Sequence, residues 1–185
     1  MKYSPILLAA LMLGGCVSLL PKPPPPPRTF VLEAQDVAQL SGAPIDAVVG
    51  IASPSGERAL LGTDLIWRTG DTIAYVSQVA WSGRADASLQ QMLAETIIRQ
   101  GRFRSSTRSG EAQADYEIRW DIRDFEVLED RMVARFVADV RVMAPGRRII
   151  AAETITASAP SSAGRRAICG SYHEHRGPGA QSPLQ

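Results

Sequence analysis

The sequence predicts an α+β protein with a single, mostly antiparallel sheet and one amphipathic helix packed on it. Two segments, 116–122 and 132–142, alternate apolar and charged residues, and a Pro145-Gly146 turn leads into a third apolar segment, 149–157. This pattern is typical of consecutive antiparallel strands with one wet face. Between residues 86 and 99 the apolar residues instead recur with the period of a helix. An apolar helix stripe and an apolar sheet face bury each other, so the two patterns together predict the fold.

Residues 1–15 read as a secretory signal peptide that leads to a lipidation site. One positive charge, Lys2, precedes an apolar run from Ile6 to Leu13, which is too short to cross a bilayer. The following Gly14-Gly15-Cys16 completes a pattern that resembles a bacterial lipobox. The resemblance implies cleavage before Cys16, acylation of that residue and a stable lipid anchor. An ordinary signal peptide with a chance cysteine is the alternative.

Residues 16–29 are predicted to form a lipidated, Pro-rich tether. Five consecutive prolines occupy residues 23–27, and proline favours an extended polyproline II conformation. At about 3.1 Å per residue, the tether could reach roughly 40 Å from the membrane. A spacer is the interpretation, and a ligand for an SH3-like domain is the alternative. Since no Asp follows Cys16 at residues 17 and 18, we expect sorting to the periplasmic face of the outer membrane.

The domain predicted for residues 30–162 opens with strands. Phe30–Leu32 and Ile45–Ile51 are short apolar segments bounded by turn residues. Two further segments, 65–67 and 73–79, flank the turn-forming Thr69–Asp71. That arrangement predicts a β-hairpin.

The amphipathic helix is predicted from Asp86 to Arg99. Its apolar face combines residues spaced at i, i+3, i+4, i+7 and i+8, namely Leu89, Met92, Leu93, Thr96 and Ile97. Asp86 is placed to cap the first N–H groups, and Gly101 stands where a left-handed residue ends a helix.

Composition argues against several classes of function. The formal net charge is only +1, which does not suggest nucleic-acid binding. Residues 30–162 contain neither His nor Cys, so the usual general base and thiol nucleophile are missing. The carboxylates of Asp121, Asp124 and Glu126 are interpreted as the wet face of a strand. We therefore expect no enzymatic activity and no cofactor.

Residues 163–185 are predicted to be an atypical, disordered tail. Cys169, His173 and His175 could in principle bind zinc, but their spacing matches no strong zinc site. No metal site is therefore predicted.

Trp81 is the candidate partner contact within the domain. It lies between the hairpin and the helix, and Trp is enriched at binding hot spots. A role in the core is the alternative, and it is the more common one for a tryptophan at such a corner. Trp67 and Trp120 are interpreted as core residues.

An ordered set of short motifs resembles the ABC-type transport auxiliary lipoproteins, the family of paraquat-inducible protein C. The lipobox and the prolines are followed by these motifs in order: Phe30-Val31-Leu32, Ser53-Pro54, Leu65-Ile66-Trp67-Arg68, Ile73-Ala74-Tyr75, Ala80-Trp81-Ser82, Arg99-Gln100-Gly101-Arg102-Phe103, Ala114-Asp115-Tyr116 and Asp124-Phe125-Glu126. The similarity covers roughly residues 10–160.

This resemblance implies a non-enzymatic lipoprotein that docks onto an MCE-type lipid transport system. Its partners would be an MCE-domain protein and the permease and ATPase of the same ABC transporter. A chaperone lipoprotein for a β-barrel or for lipopolysaccharide is the alternative function. Family members also end in an amphipathic helix packed on the sheet, which this sequence does not show after Ala157–Pro160. We therefore expect the second helix to be missing or altered, with the bare apolar face left open or buried in a homo-oligomer.

Overall fold

The computed structural model describes residues 25–34 and 37–161, which form nine β-strands and one α-helix. The strands are β1 Arg28–Phe30, β2 Ile45–Ile51, β3 Ser55–Gly56, β4 Asp64–Thr69, β5 Thr72–Trp81, β6 Phe103–Arg108, β7 Tyr116–Leu128, β8 Val133–Ala144 and β9 Arg148–Pro160. The helix, α1, is Ala85–Arg99 and connects β5 to β6. One helix with one sheet confirms the predicted α+β class.

Strand β7 is the centre of the sheet. Along one edge it pairs antiparallel with β8, from Glu117 opposite Met143 to Leu128 opposite Val133. Along the other edge it pairs in turn with β2, β3 and β4, and all three of these pairings are parallel. β6 pairs with the far side of β2. β5 pairs with the far side of β4, and β1 pairs with β5. At the opposite edge of the sheet, β9 pairs with β8.

The sheet is mixed, so the prediction of a mostly antiparallel sheet is wrong in part. The β4–β5 hairpin and the meander of β7, β8 and β9 are antiparallel, as predicted. The pairs β1–β5 and β2–β6 are parallel, as are the three strands beside β7. Alternating polarity identifies a half-buried strand, but it does not identify the partner or the direction of pairing.

Helix α1 begins and ends close to the predicted positions, but its first turn differs from the prediction. The N-cap residue is Arg84, whose side chain makes no capping hydrogen bond. Asp86 lies inside the first turn and is not the N-cap residue, but its carboxylate accepts a hydrogen bond from the backbone N–H of Ala87 at 2.7 Å, as predicted, and others from the Arg84 guanidinium at 2.7 and 3.1 Å. Gly101 follows the last turn with φ of +73°, which confirms the predicted left-handed end.

The predicted apolar face of α1 packs against the sheet. Leu89 lies in one core cluster with Trp120 of β7, and Ile97 lies in a second cluster with Ile51 of β2. The indole N–H of Trp120 donates to the carbonyl of Ala52 at 2.8 Å, which satisfies its only polar atom in the core. The interpretation of Trp120 as a core residue is confirmed, whereas Trp67 is only partly buried.

Several predicted segments lie outside the described residues. These are the signal peptide, Cys16, most of the tether and the tail at 163–185. The helix α1 covers the sheet beside β2 and β6, whereas every residue of β9 is exposed.

Two adjacent isoleucines of α1 test this packing. Ile97 is 6% exposed and Ile98 is 52% exposed. Ile97→Ala should lower the free energy of unfolding by about 2–4 kcal/mol, because it leaves a cavity against β2. Urea denaturation followed by circular dichroism measures the change.

Ile98→Ala is the matched control, since the same change on the exposed face should stay within about 0.5 kcal/mol. Equal losses for the two variants would contradict the orientation of α1.

Candidate functional site

A β-bulge at Arg123 reverses which residues in the carboxyl half of β7 point toward the core. The register with β8 shifts between Ile122, which lies opposite Ala138, and Asp124, which lies opposite Val137. An extra residue in one strand reverses which of the following side chains point to each face. Even-numbered residues of β7 face the core up to Ile122, and odd-numbered residues do so after the bulge.

The bulge places Phe125 opposite Phe136 of β8, on the inner face of the sheet. Trp81 stacks on Phe125 with ring centroids 5.2 Å apart and planes at 9°. Phe125 meets Phe136 edge to face, at 6.0 Å and 85°. Offset stacking and edge contacts are the favourable geometries for aromatic rings, so the three side chains form one ordered cluster. The unusual three-residue step from Ile122 to Phe125 was the sequence signal for this arrangement, and the sequence analysis missed it.

The aromatic cluster lines a groove with a volume of about 450 Å³. We call it the aromatic groove. It lies between the end of β1, β4, the end of β5, the carboxyl half of β7, the start of β8 and the end of β9. Its apolar lining includes Phe30, Val31, Leu65, Trp81, Phe125 and Phe136. Both its size and its apolar character are typical of ligand or peptide grooves.

A buried carboxylate, Glu126, is one of the residues that line the aromatic groove, and it forms an ion pair. Glu126 is only 5% exposed, and its Oε1 accepts a hydrogen bond from Nε of Arg68 at 2.6 Å. This hydrogen bond raises the pKa of Arg68 above its usual value. The other carboxylate oxygen of Glu126 has no hydrogen-bond partner among the described residues. The pair therefore joins β4 to β7 with one oxygen left unsatisfied.

The three carboxylates noted in the sequence do not form a free acid–base group. Asp124 pairs with Arg135 at 2.7 Å, and Asp121 accepts a hydrogen bond from Ser55 at 2.7 Å. Glu126 is buried, so the interpretation of all three as a wet strand face is wrong for this residue. Asp124 and Glu126 therefore each have an arginine partner within the sheet, and Asp121 has a serine hydroxyl.

The predicted site residues have different outcomes. Trp81 lies in the aromatic groove and is partly buried, so it both packs on the core and reaches the surface. Its role as a partner contact stays a prediction. Cys16 and the weak zinc candidates Cys169, His173 and His175 lie outside the described residues.

Two further properties of residues 25–34 and 37–161 concern metal binding and membrane insertion. In this part of the chain no three His, Cys, Asp or Glu side chains are grouped as metal ligands. Its helix is also too short and too polar to cross a bilayer.

Comparison with protein families and solved structures identifies relatives of the domain. The model of the ABC-type transport auxiliary lipoprotein component family matches residues 30–171. No curated protein matches the chain.

Among solved structures, protein XCC0632 from Xanthomonas campestris, a DUF330 protein, has a TM-score of 0.61 and 19% identity, with 80% of this chain and 84% of that chain covered. An uncharacterized protein has a TM-score of 0.55 and 10% identity, with 75% and 94% covered. At these low identities, the two similarities show a shared fold.

The Arg68–Glu126 ion pair is expected to contribute to the stability of the domain. Arg68→Met should lower the free energy of unfolding by about 2–3 kcal/mol, because it leaves a buried carboxylate without its cation. This is less than the loss for a fully buried pair, because the Arg68 side chain is 36% exposed. Urea denaturation measures the loss.

The double variant Arg68→Met/Glu126→Met should recover most of the stability, since an apolar pair carries no unpaired charge. Arg123→Met is the control, because the Arg123 pair with Asp139 is exposed and worth at most about 1 kcal/mol. A double variant less stable than Arg68→Met would contradict the buried pairing.

Proposed function

The chain belongs to the family of ABC-type transport auxiliary lipoprotein components, and from this premise we propose that it is a non-enzymatic docking component of an MCE-type lipid transport system. In this proposal Cys16 carries the lipid anchor at the periplasmic face of the outer membrane. The folded domain binds the MCE-domain protein that works with the permease and ATPase of the same transporter.

The observation that supports this proposal is the aromatic groove, two of whose lining residues follow closely after Cys16 in the sequence. Phe30 and Val31 line the groove, and they follow Cys16 by only 14 and 15 residues. Even a fully extended chain of that length reaches at most about 50 Å. An acyl anchor on Cys16 would therefore confine the groove to a thin layer beside the membrane and raise its effective concentration for a partner in that layer.

The chemistry of the aromatic groove favours binding over catalysis. Its surface is mainly aromatic and aliphatic, and the two charged residues that line it, Glu126 and Arg135, are ion-paired with Arg68 and Asp124 respectively. An apolar groove with an aromatic centre fits the pattern of a protein-docking hot spot, where a few large side chains contribute most of the affinity. We propose that an apolar segment of the MCE-domain protein occupies it.

Val31 gives the sharpest test of docking. It is 61% exposed at the rim of the groove, so Val31→Arg adds a charge there without removing a core side chain. We expect affinity for the MCE-domain protein of the proposed transport system to fall at least roughly tenfold. Binding of the purified lipoprotein in detergent, measured by biolayer interferometry, gives the ratio.

Ile73→Arg is the control, because Ile73 is 41% exposed on β5 but does not line the groove. It should bind as the unaltered chain does. Equal binding by both variants would rule out the groove as the docking surface. Capture of a β-barrel protein in place of the MCE-domain protein would favour the chaperone alternative.

The anchor has a separate test. Mass spectrometry of the mature protein should find a chain that begins at Cys16 and carries acyl groups, in the membrane fraction. Cys16→Ser should abolish the acylation and release the protein from that fraction, because no acyl chain then holds it. An unacylated wild-type protein that is free in the periplasm would contradict the anchor.

A further inference from the structure

The carboxyl end of the described chain lies in the aromatic groove. The residues from Ala157 to Ser161 line one wall of the groove, and the backbone N–H of Ser161 donates to the carbonyl of Met132 at 2.8 Å. Residues 162–185, which we call the tail, continue the chain from this point. The tail therefore starts beside the aromatic cluster.

The described residues leave the aromatic centre of the groove half open. Trp81, Phe125 and Phe136 are each only partly buried, and Phe30 and Val31 are 43% and 61% exposed. Removing apolar surface of this kind from water is favourable by about 25 cal/mol per Å². The groove therefore offers both the room and the driving force to bind an apolar segment.

The first part of the tail is covered by the same family model as the groove. That match extends to residue 171, ten residues beyond Ser161. Residues 162–171 contain no Asp, Glu or Pro, and Ile168 is their only large aliphatic residue, between Ala167 and Cys169. This apolar triplet follows Gly164, a residue type suited to a chain reversal.

We propose that residues 162–171 fold back over the inner face of β9 and β8 and place Ala167-Ile168-Cys169 in the aromatic groove when no partner is bound. The proposal rests on the docking function proposed above, because the apolar segment of the MCE-domain protein then displaces this part of the tail. Arg165 and Arg166 cross the rim, where long side chains keep their charge in water. The tail is thus an intramolecular competitor for the groove.

The tail is long enough to make this contact. Phe125 pairs with Phe136, and Phe136 pairs with Ala157 of β9. Since neighbouring strands lie about 4.8 Å apart, Phe125 lies roughly 10 Å from β9, and Ala157 lies about 13 Å along that strand from Ser161. The distance from Ser161 to Phe125 is thus about 16 Å. The chain from Ser161 to Ile168 spans up to about 23 Å, which leaves length for the reversal.

Attachment beside the groove gives even a weakly binding segment a high occupancy. A short linker holds such a segment at an effective concentration on the order of 1 mM. A contact with a dissociation constant of about 0.1 mM then fills the groove about ten times as often as it leaves the groove empty. A partner binds only the open fraction, so its apparent affinity falls by about the same factor.

The reactivity of Cys169 measures where the tail lies. In the lipoprotein acylated at Cys16, Cys169 is the one free thiol that the sequence provides. In detergent, a maleimide should alkylate it at least roughly tenfold more slowly than in the Ile168→Asp variant, because an apolar groove excludes a charge at residue 168. Val31→Arg, which changes the rim of the groove, should give the same acceleration. Mass spectrometry after timed quenching gives the rates.

Two variants serve as controls in the same assay. Leu184→Asp makes a matching change in the tail outside residues 162–171, and Ile73→Arg adds a charge on β5 outside the groove. Both should leave Cys169 protected. A Cys169 rate in the unaltered protein equal to that in Ile168→Asp, or a rate that Val31→Arg does not change, would overturn the proposal. Protection that disappears on dilution would also overturn it, because it would assign the groove to the tail of a second copy.

Binding to the MCE-domain protein tests the competition separately. Ile168→Asp should raise the affinity about tenfold, whereas Leu184→Asp should leave it unchanged. An affinity that Ile168→Asp does not raise would contradict the competition. If no variant binds this protein, the docking proposal fails, and the alkylation rates still decide where the tail lies because that assay contains no partner.

Discussion

The pairing of β7 on both of its edges is the constraint on which the rest of the domain depends. β8 pairs with it over almost its whole length, while β2, β3 and β4 share its other edge in sequence. The helix covers the first half of this strand through Leu89, and the bulge at Arg123 redirects the second half. One long strand therefore divides the domain into a part closed by the helix and a part left open as the aromatic groove.

Periodicity predicted the elements whose pattern is local. The stripe from Leu89 to Ile97 predicted the helix, and the alternation around Trp120 predicted the meander strands. Parallel pairing was missed because contacts between β2 and β7 join residues more than 60 positions apart and leave no local pattern. The bulge was missed because one inserted residue, Arg123, ends the alternation that the prediction relied on.

The candidate site could be predicted only in part, because it also depends on the bulge and on contacts between residues far apart in the sequence. Trp81 was a candidate contact from its residue type and its place at a corner, with a core role favoured, and it both packs on the core and lines the groove. Its stacking partner Phe125 reaches the inner face only because of the bulge. Glu126 was interpreted as exposed from its residue type, because carboxylates on a half-exposed strand usually lie on its wet face, but it is buried. Tertiary contacts with β4, through Arg68, decided its environment.

Site-specific photo-cross-linking from the aromatic groove tests the central claim most directly. A photoreactive phenylalanine analogue at Phe30, which lines the groove and is 43% exposed, would be compared in cells with the same analogue at Ile73 outside it. The account predicts a covalent adduct between position 30 and the MCE-domain protein, and none from position 73. Adducts with that protein from position 73 alone, or none from either position, would contradict docking through the groove.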